Sequence, residues 1–279
     1  MCESTISGRI KVGTMVKIIK TEIIKLKRYS IVWVGFAAAL LVVLLTRFMA
    51  TAEDGTARNL ENFSNTVIWN NFSLLFPATI TLIAGYMISR EYTEDTLKNI
   101  LTIPLSFRRL LVGKLITAGL LALFLAVVTF VLSLVAVLIS GFQAGSAAVM
   151  VKSLIQMMVM NLCIYLAVLP IIVLTSRNPN GFMAGVGFAF FYGFIGIFAG
   201  GHGLGDLYPI TAGLGLINYQ AEGGSDYNVA ACVVTLLIMV IVSVLLIAGM
   251  GDRMKEAKRT ERKKGQTSDG KKKKQTSRR

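Results

Sequence analysis

Six apolar stretches, each long enough to cross a bilayer, constrain this chain more than any other feature. They cover residues about 30–49, 67–89, 110–140, 149–176, 181–201 and 229–250. A bilayer's hydrocarbon core takes roughly 20 apolar residues as a helix. No water is present there to satisfy backbone N–H and C=O groups, so only helices and closed barrels span it. Barrel strands alternate polar and apolar side chains, whereas these stretches are continuous. Of 279 residues, 54% are hydrophobic and only 16% charged, against about 25% charged in an ordinary soluble domain. The fold class is therefore an all-α integral membrane protein with six transmembrane helices.

Three regions follow from the charge distribution. Residues 1–29 form a basic amphipathic segment, 30–251 the six-helix domain, and 252–279 a basic tail almost without apolar residues. The third span, Leu110–Ser140, measures about 45 Å at ~1.5 Å per residue and is expected to tilt or project beyond the lipid. The fifth carries Gly181, Gly185, Gly193 and Gly196, small residues that let a neighbouring backbone approach. Pro77 and Pro170 are expected to kink the second and fourth spans.

Lysine and arginine counts set the orientation. Seven fall in 1–29, five between Arg90 and Lys114, one at Arg177 and thirteen after Gly251. The opposite side has only Arg47, Arg58 and Lys152. Both termini are thus expected in the cytoplasm of a multi-pass protein of the cell membrane. Ala50-Thr51-Ala52 has the look of a signal-peptidase site, but residues 1–29 are too long a leader for that class. Cys2, Cys163 and Cys232 show neither metal-ligand spacing nor a disulfide framework, and the latter two are expected to pack inside helices.

Before the first span, Val12, Met15, Val16, Ile19, Ile23 and Leu26 recur at helical steps. Lys11, Lys17, Lys20 and Lys27 fall mostly off that stripe. Such a helix suits the inner membrane surface, with lysines toward anionic lipid, or serves as a topogenic anchor. The tail is expected to be disordered. It has no aromatic residues or binding module beside its lysines, so no nucleic-acid partner is expected.

The connection between the second and third spans, "EYTEDTLKNILTIPLSFRRLLVGK", carries more than topogenic charge. Thr93 is a candidate cap for a short helix whose first turn holds Glu94 and Asp95, favourable at the positive dipole end. Thr96 and Lys98 lie beside an apolar face of Leu97, Ile100 and Leu101. Pro104 stops the helix, Ser106 is a candidate cap for the third span, and Arg108, Arg109 and Lys114 are expected at headgroup depth. A plain polar loop has no need of an apolar face, a start signal and a proline stop together.

This connection resembles the signature between the second and third helices of type-2 permeases of ATP-binding-cassette (ABC) transporters. The matching residues are Glu91, Asp95-Thr96-Leu97-Lys98, Pro104, Ser106, Arg108 and Gly113-Lys114. Asp95 stands where glycine is common, and Phe107 intervenes between Ser106 and Arg108. "KTEIIKLKRYSIVW" is similar to the approach to the first helix in the bacitracin-resistance and lantibiotic-immunity branch. The resemblance implies that the loop is a coupling helix docked on a separate ATPase subunit. It also implies that two permeases pair, as a homodimer or heterodimer, and that the complex exports an amphipathic substrate such as an antimicrobial peptide. Glu91, Glu94, Asp95, Thr96, Leu97, Lys98, Ile100, Leu101, Pro104 and Arg108 are then the candidate coupling residues. The turn 175–181 would be a minor contact or a plain Asn-Pro turn.

The residues agree with a need for a partner. No G-x-x-x-x-G-K-[ST] loop is present, nor a metalloprotease, hydrolase or kinase motif. This chain is expected to bind no cofactor and to be no enzyme by itself, ATP and Mg2+ belonging to the ATPase. His202 is the single histidine, so a histidine-based metal cluster within one chain is excluded.

Asn70, Asn71, Gln156 and Asn161 fall inside the spans. They are candidates for a substrate path, against the alternative of interhelical hydrogen bonds. The segment 202–228, rich in glycine and tyrosine, is a candidate short re-entrant or interfacial helix. Two other classes stay open: a secondary transporter or channel working without nucleotide, and a membrane scaffold or sensor. Against the former, no acid or base lies near the centre of a span.

Overall fold

The computed structural model describes residues 15–52, 58–93, 107–176, 181–219 and 227–249. Six of its helices are long and apolar enough to cross a membrane. Among the described residues the β-type pairing is confined to one isolated bridge, between Asn59 and Gln143. The helices are α1 (15–26), α2 (Val32–Ala52), α3 (Leu60–Asn70), α4 (Phe76–Thr93), α5 (Phe107–Ile139), α6 (Ala147–Thr175), α7 (Phe182–Gly201), α8 (Ala212–Leu216) and α9 (Val229–Gly249). The lower end of the bundle carries α1 and both flanks of the 94–106 connection.

The second span starts at Leu60, seven residues before its apolar stretch. Polar contacts make the earlier start possible. Asn59 Oδ1 accepts the Asn62 N–H at 2.9 Å, one of the donors a helix start leaves unsatisfied. The Leu60 N–H reaches Gln143 O at 2.9 Å, and the Gln143 N–H reaches Arg58 O, tying α3 to the α5–α6 turn. Between α3 and α4 the chain makes a π turn over Asn71–Leu75, where the Phe76 N–H bonds to Asn71 O, five residues back. Pro77 follows directly. Lacking an N–H, it cannot hold the carbonyl that an α-helix would offer it, and the widened turn is where the helix takes up the mismatch. Pro170, by contrast, lies inside the single continuous helix α6.

The second and fourth spans form the middle of the bundle. Each has 67% of its most apolar window buried, against 28% for α2 and α7 and 17% for α9. Phe72, Ile80, Ile83 and Met87 from the second span, Leu125 from α5, and Met160, Ile164 and Ile172 from α6 are all at most 2% exposed. Around them the outer helices show apolar side chains, as lipid-facing helices do. In α7 the small residues meet neighbours at close range. A Cβ on Gly193 would lie 2.9 Å from Phe72 O and 3.2 Å from Ser73 O, carbonyls of the π turn.

After α7 the chain turns back into the protein. Ile210, Thr211, Ala212 and Leu214 are fully buried, and a Cβ on Gly213 would sit 2.8 Å from Met160 Sδ and 2.9 Å from Cys163 Cβ. Both lie near the middle of α6. The segment is therefore re-entrant, and its irregular backbone is covered by protein, as a membrane requires. Cys163 and Cys232 pack with Ala212 and Leu236 in a small buried cluster.

Candidate functional site at the lower ends of α4 and α5

Four charged side chains from three helices meet where the 94–106 connection joins the bundle. Glu22 and Lys25 come from α1, Glu91 from the last turn of α4, and Lys114 from two turns inside α5. Lys114 Nζ donates to Glu22 Oε2 at 2.6 Å and to Glu91 Oε1 at 3.1 Å. Lys25 Nζ donates to the same Glu91 oxygen at 2.9 Å and to Glu22 Oε1 at 3.3 Å. The acids and bases therefore alternate around an electroneutral ring. Glu22, Lys114 and Glu91 are 1%, 3% and 5% exposed.

Lone charges at that burial would be very costly, and here each has two partners of opposite sign. For Lys25, burial works against the ammonium, but the Glu91 hydrogen bond and the field of Glu22 outweigh it, so it titrates above the ordinary lysine value.

Local sequence explains how the helices reach one another. Gly113 has no side chain where α1 crosses α5, and a Cβ there would come within 2.5 Å of Ile18 Cγ2. That gap lets α1 seat Ile18 and Glu22, one turn apart, against the bundle. Two turns on from Glu22, Tyr29 is buried, with the Arg90 guanidinium 4.6 Å from its ring centroid and Tyr86 edge-on at 5.9 Å. A cation over an aromatic face and an offset aromatic pair both add to the seating. Nearby, the Arg108 guanidinium donates to Ala248 O, beside the last described residue of α9.

Several expectations change against this geometry. Lys114 is buried between Glu22 and Glu91 rather than open to headgroups, since α1 packs over α5 there. Thr93 is the last residue of α4, and the short helix expected beyond it lies outside the described residues. Glu91 faces Lys25 and Lys114, and Arg108 holds α9. Glu94, Asp95, Thr96, Leu97, Lys98, Ile100, Leu101 and Pro104 lie outside the described residues, as do the tail and most of the 175–181 turn. On α1 the buried residues are Ile18 and Glu22, with Tyr29 just beyond its end, while Val16 and Ile23 of the expected apolar stripe are 57% and 45% exposed.

The four polar candidates of the spans are each hydrogen-bonded within the protein. Asn71 Nδ2 donates to Asn161 Oδ1 at 2.8 Å, and Asn70 Nδ2 to Thr46 Oγ1 at 3.0 Å. Gln156 Nε2 donates to Ile217 O of the re-entrant segment at 3.0 Å. These are interhelical bonds inside the protein. Gln156 also borders a cleft, about 720 Å³ in volume, lined by Val151, Lys152, Ile155 and Leu216.

Residues 18–196, which take in the whole ion ring and all four polar span residues, match the family described as ABC-2 family transporter protein. The chain belongs to the ABC-2 transporter family. This ABC-2 chain is also similar to the bacitracin transport permease protein BCRB of Bacillus licheniformis. The two are 34% identical over 120 residues, which are 43% of this chain and 57% of that relative. It thus aligns with little more than half of that relative's length. The family match begins in α1, at the residue that fills the gap left by Gly113, and ends in α7. The re-entrant segment and α9 lie beyond it.

Sequence reasoning singled out Glu91 and Lys114 but assigned them elsewhere, and it missed Glu22 and Lys25 as partners. One signal was present in the ABC-2 chain. Glu22 is an acid in line with Ile18 and Leu26 on an otherwise basic helix, a position whose charge needs a partner once the helix docks.

Proposed function

We propose that this chain is the membrane permease subunit of an ABC exporter, driven by a separate ATPase subunit and working as a pair of permeases in a bacterial cell membrane with both termini cytoplasmic. The cargo is an amphipathic molecule, an antimicrobial peptide of the bacitracin or lantibiotic kind. Family membership and the similarity to a bacitracin permease support this reading, as does the loop signature between the second and third spans. ATP and Mg2+ belong to the ATPase, and this chain contributes the moving path and no catalytic group.

The observation that carries the mechanism is the ion ring at the root of the loop. Glu91 lies three residues before residue 94 and Lys114 eight after residue 106. The two are bonded to each other and, through Glu22 and Lys25, to α1. A displacement of the loop by an ATPase therefore reaches α4, α5 and α1 as one unit. Packed cores and buried networks respond to such a push by shifting between discrete arrangements rather than by yielding gradually. Through α4 the motion arrives at the π turn and at the Asn71–Asn161 bond in the middle of the bundle.

The test is to reconstitute the permease with its ATPase and to change the loop's apolar face. Leu97→Glu or Leu101→Glu should leave membrane insertion intact while reducing ATPase co-purification and ATP-dependent export at least about tenfold, the factor a loss of ~1.4 kcal/mol of docking produces. Unchanged association and export in both variants would overturn the coupling role. Export by the permease alone, without nucleotide, would overturn the whole reading.

A further inference from the structure

Helix α1 has two working faces. One carries Ile18, Glu22 and Lys25 into the ion ring and against Gly113. The other faces away from the protein, with Lys17, Lys20 and Lys27 exposed and followed by exposed Arg28. Along the edge of that face Val16, Ile23 and Ile24 are 57%, 45% and 56% exposed. Glu22 is the only acid between Met15 and Arg28, and it is turned inward, so every charge on the outward face is a cation. Just beyond, α2 begins with Trp33 72% exposed, an aromatic residue of the kind found where a span leaves the headgroup layer. Exposed side chains thus run along the chain from α1 through Lys27, Arg28 and Ser30 to Trp33.

We infer that α1 is a sensor of membrane charge, holding anionic lipid headgroups on its outward lysines and passing its position to the coupling loop through Glu22. The inference rests on the coupling role proposed above and adds what regulates it. The partner is an anionic lipid surface, because four cations without an acid, edged by apolar side chains, match negatively charged headgroups over acyl chains. A soluble acidic protein would leave Val16 and Ile23 in water. The transmission is mechanical. Glu22 and Lys114 are joined at 2.6 Å with both side chains buried, so α1 cannot rise or sink relative to the membrane without carrying the root of the loop.

Two measurements test this, one of them independent of any ATPase. In the first, the full-length permease with Cys2→Ser and Val16→Cys is labelled and placed in nanodiscs of phosphatidylcholine alone or with about 30% phosphatidylglycerol. The label's depth is read by a lipid-bound quencher. The label should sit deeper in the charged discs, and Lys17→Gln/Lys20→Gln/Lys27→Gln should abolish the difference. No difference with the native lysines overturns the inference whether or not the complex transports.

In the second, the permease–ATPase complex is assayed in the same discs. ATP turnover should rise about threefold or more with anionic lipid, and a few hundred millimolar salt should suppress the rise by screening. The triple lysine variant should be insensitive to lipid charge, and Lys152→Gln, at the opposite end, should respond as the native chain does. Glu22→Gln should keep the lipid-dependent depth of α1 but lose the response of turnover. A turnover response that persists in Glu22→Gln overturns the transmission, and one that persists in the triple variant overturns the sensor. If the permease leaves turnover unchanged in every lipid while the depth change is present, the coupling reading fails and the lipid contact stands.

Discussion

Removing the Lys114 ammonium takes from Glu22 and Glu91, both at least 95% buried, a cation bonded to both, while Lys25, which also bonds both, is partly exposed. Breaking a buried ion pair from one side typically costs about 3–5 kcal/mol, because the stranded charge loses its partner and gains no water. Lys114→Met should therefore lower thermal stability in detergent by an amount in that range. Glu22→Gln, which keeps a hydrogen-bonding group in place, should cost roughly 1–3 kcal/mol. Lys25 adds a pH dependence of known sign. Its folded-state value is raised above 10.5, so its contribution is complete below that pH and is lost as pH climbs through the raised value. Protease cleavage of α1 should accordingly increase at strongly alkaline pH. None of this pairing was legible locally, since the first two spans separate Glu22 and Lys25 from Glu91. What the sequence did offer at this scale was a lysine four residues into an apolar run and an acid on a basic helix, each anomalous without a partner.

Hydropathy marks out the six spans with little error, because bilayer thickness fixes their length. It fails where polar side chains do the work. The start of the second span, Leu60–Thr66, reads as polar yet is helical, held by the Asn59 cap and the Gln143 pairing. The π turn at Asn71–Leu75 follows from Pro77 only as a bend, not as a particular hydrogen-bond pattern. Its carbonyls lie against Gly193, so Gly193→Ala must displace backbone rather than a side-chain tip, a change expected to cost about 1–3 kcal/mol in a thermal melt. The Asn71–Asn161 bond calls for a double-mutant cycle. Asn71→Leu strands a buried amide and should destabilise by roughly 1–2 kcal/mol, whereas Asn71→Leu with Asn161→Leu should recover part of that loss. Full additivity would mean that the two side chains do not interact.

At the scale of the whole molecule, the buried second and fourth spans form a centre, while α2, α7 and α9 are exposed along much of their length. α9 is the least buried, and the bond from Arg108 to Ala248 is one of its attachments at the lower end. The sequence signature points to the loop between the second and third spans, at whose root the ion ring lies. It could not show that the loop's root is buried and bonded to the N-terminal helix, because that depends on packing across three elements. The central claim is that this ion ring conveys the loop's movement to the bundle. The most direct test is a charge exchange in the reconstituted permease–ATPase complex, with ATP-dependent export measured for inserted, folded protein. Lys114→Glu alone should export at least about tenfold more slowly, a factor equal to ~1.4 kcal/mol, while ATP turnover continues. Adding Glu22→Lys, Glu91→Lys and Lys25→Glu restores the alternation of acids and bases with every sign reversed and should recover most of the export. Normal export by Lys114→Glu alone, or no recovery in a correctly folded quadruple variant, would contradict the account.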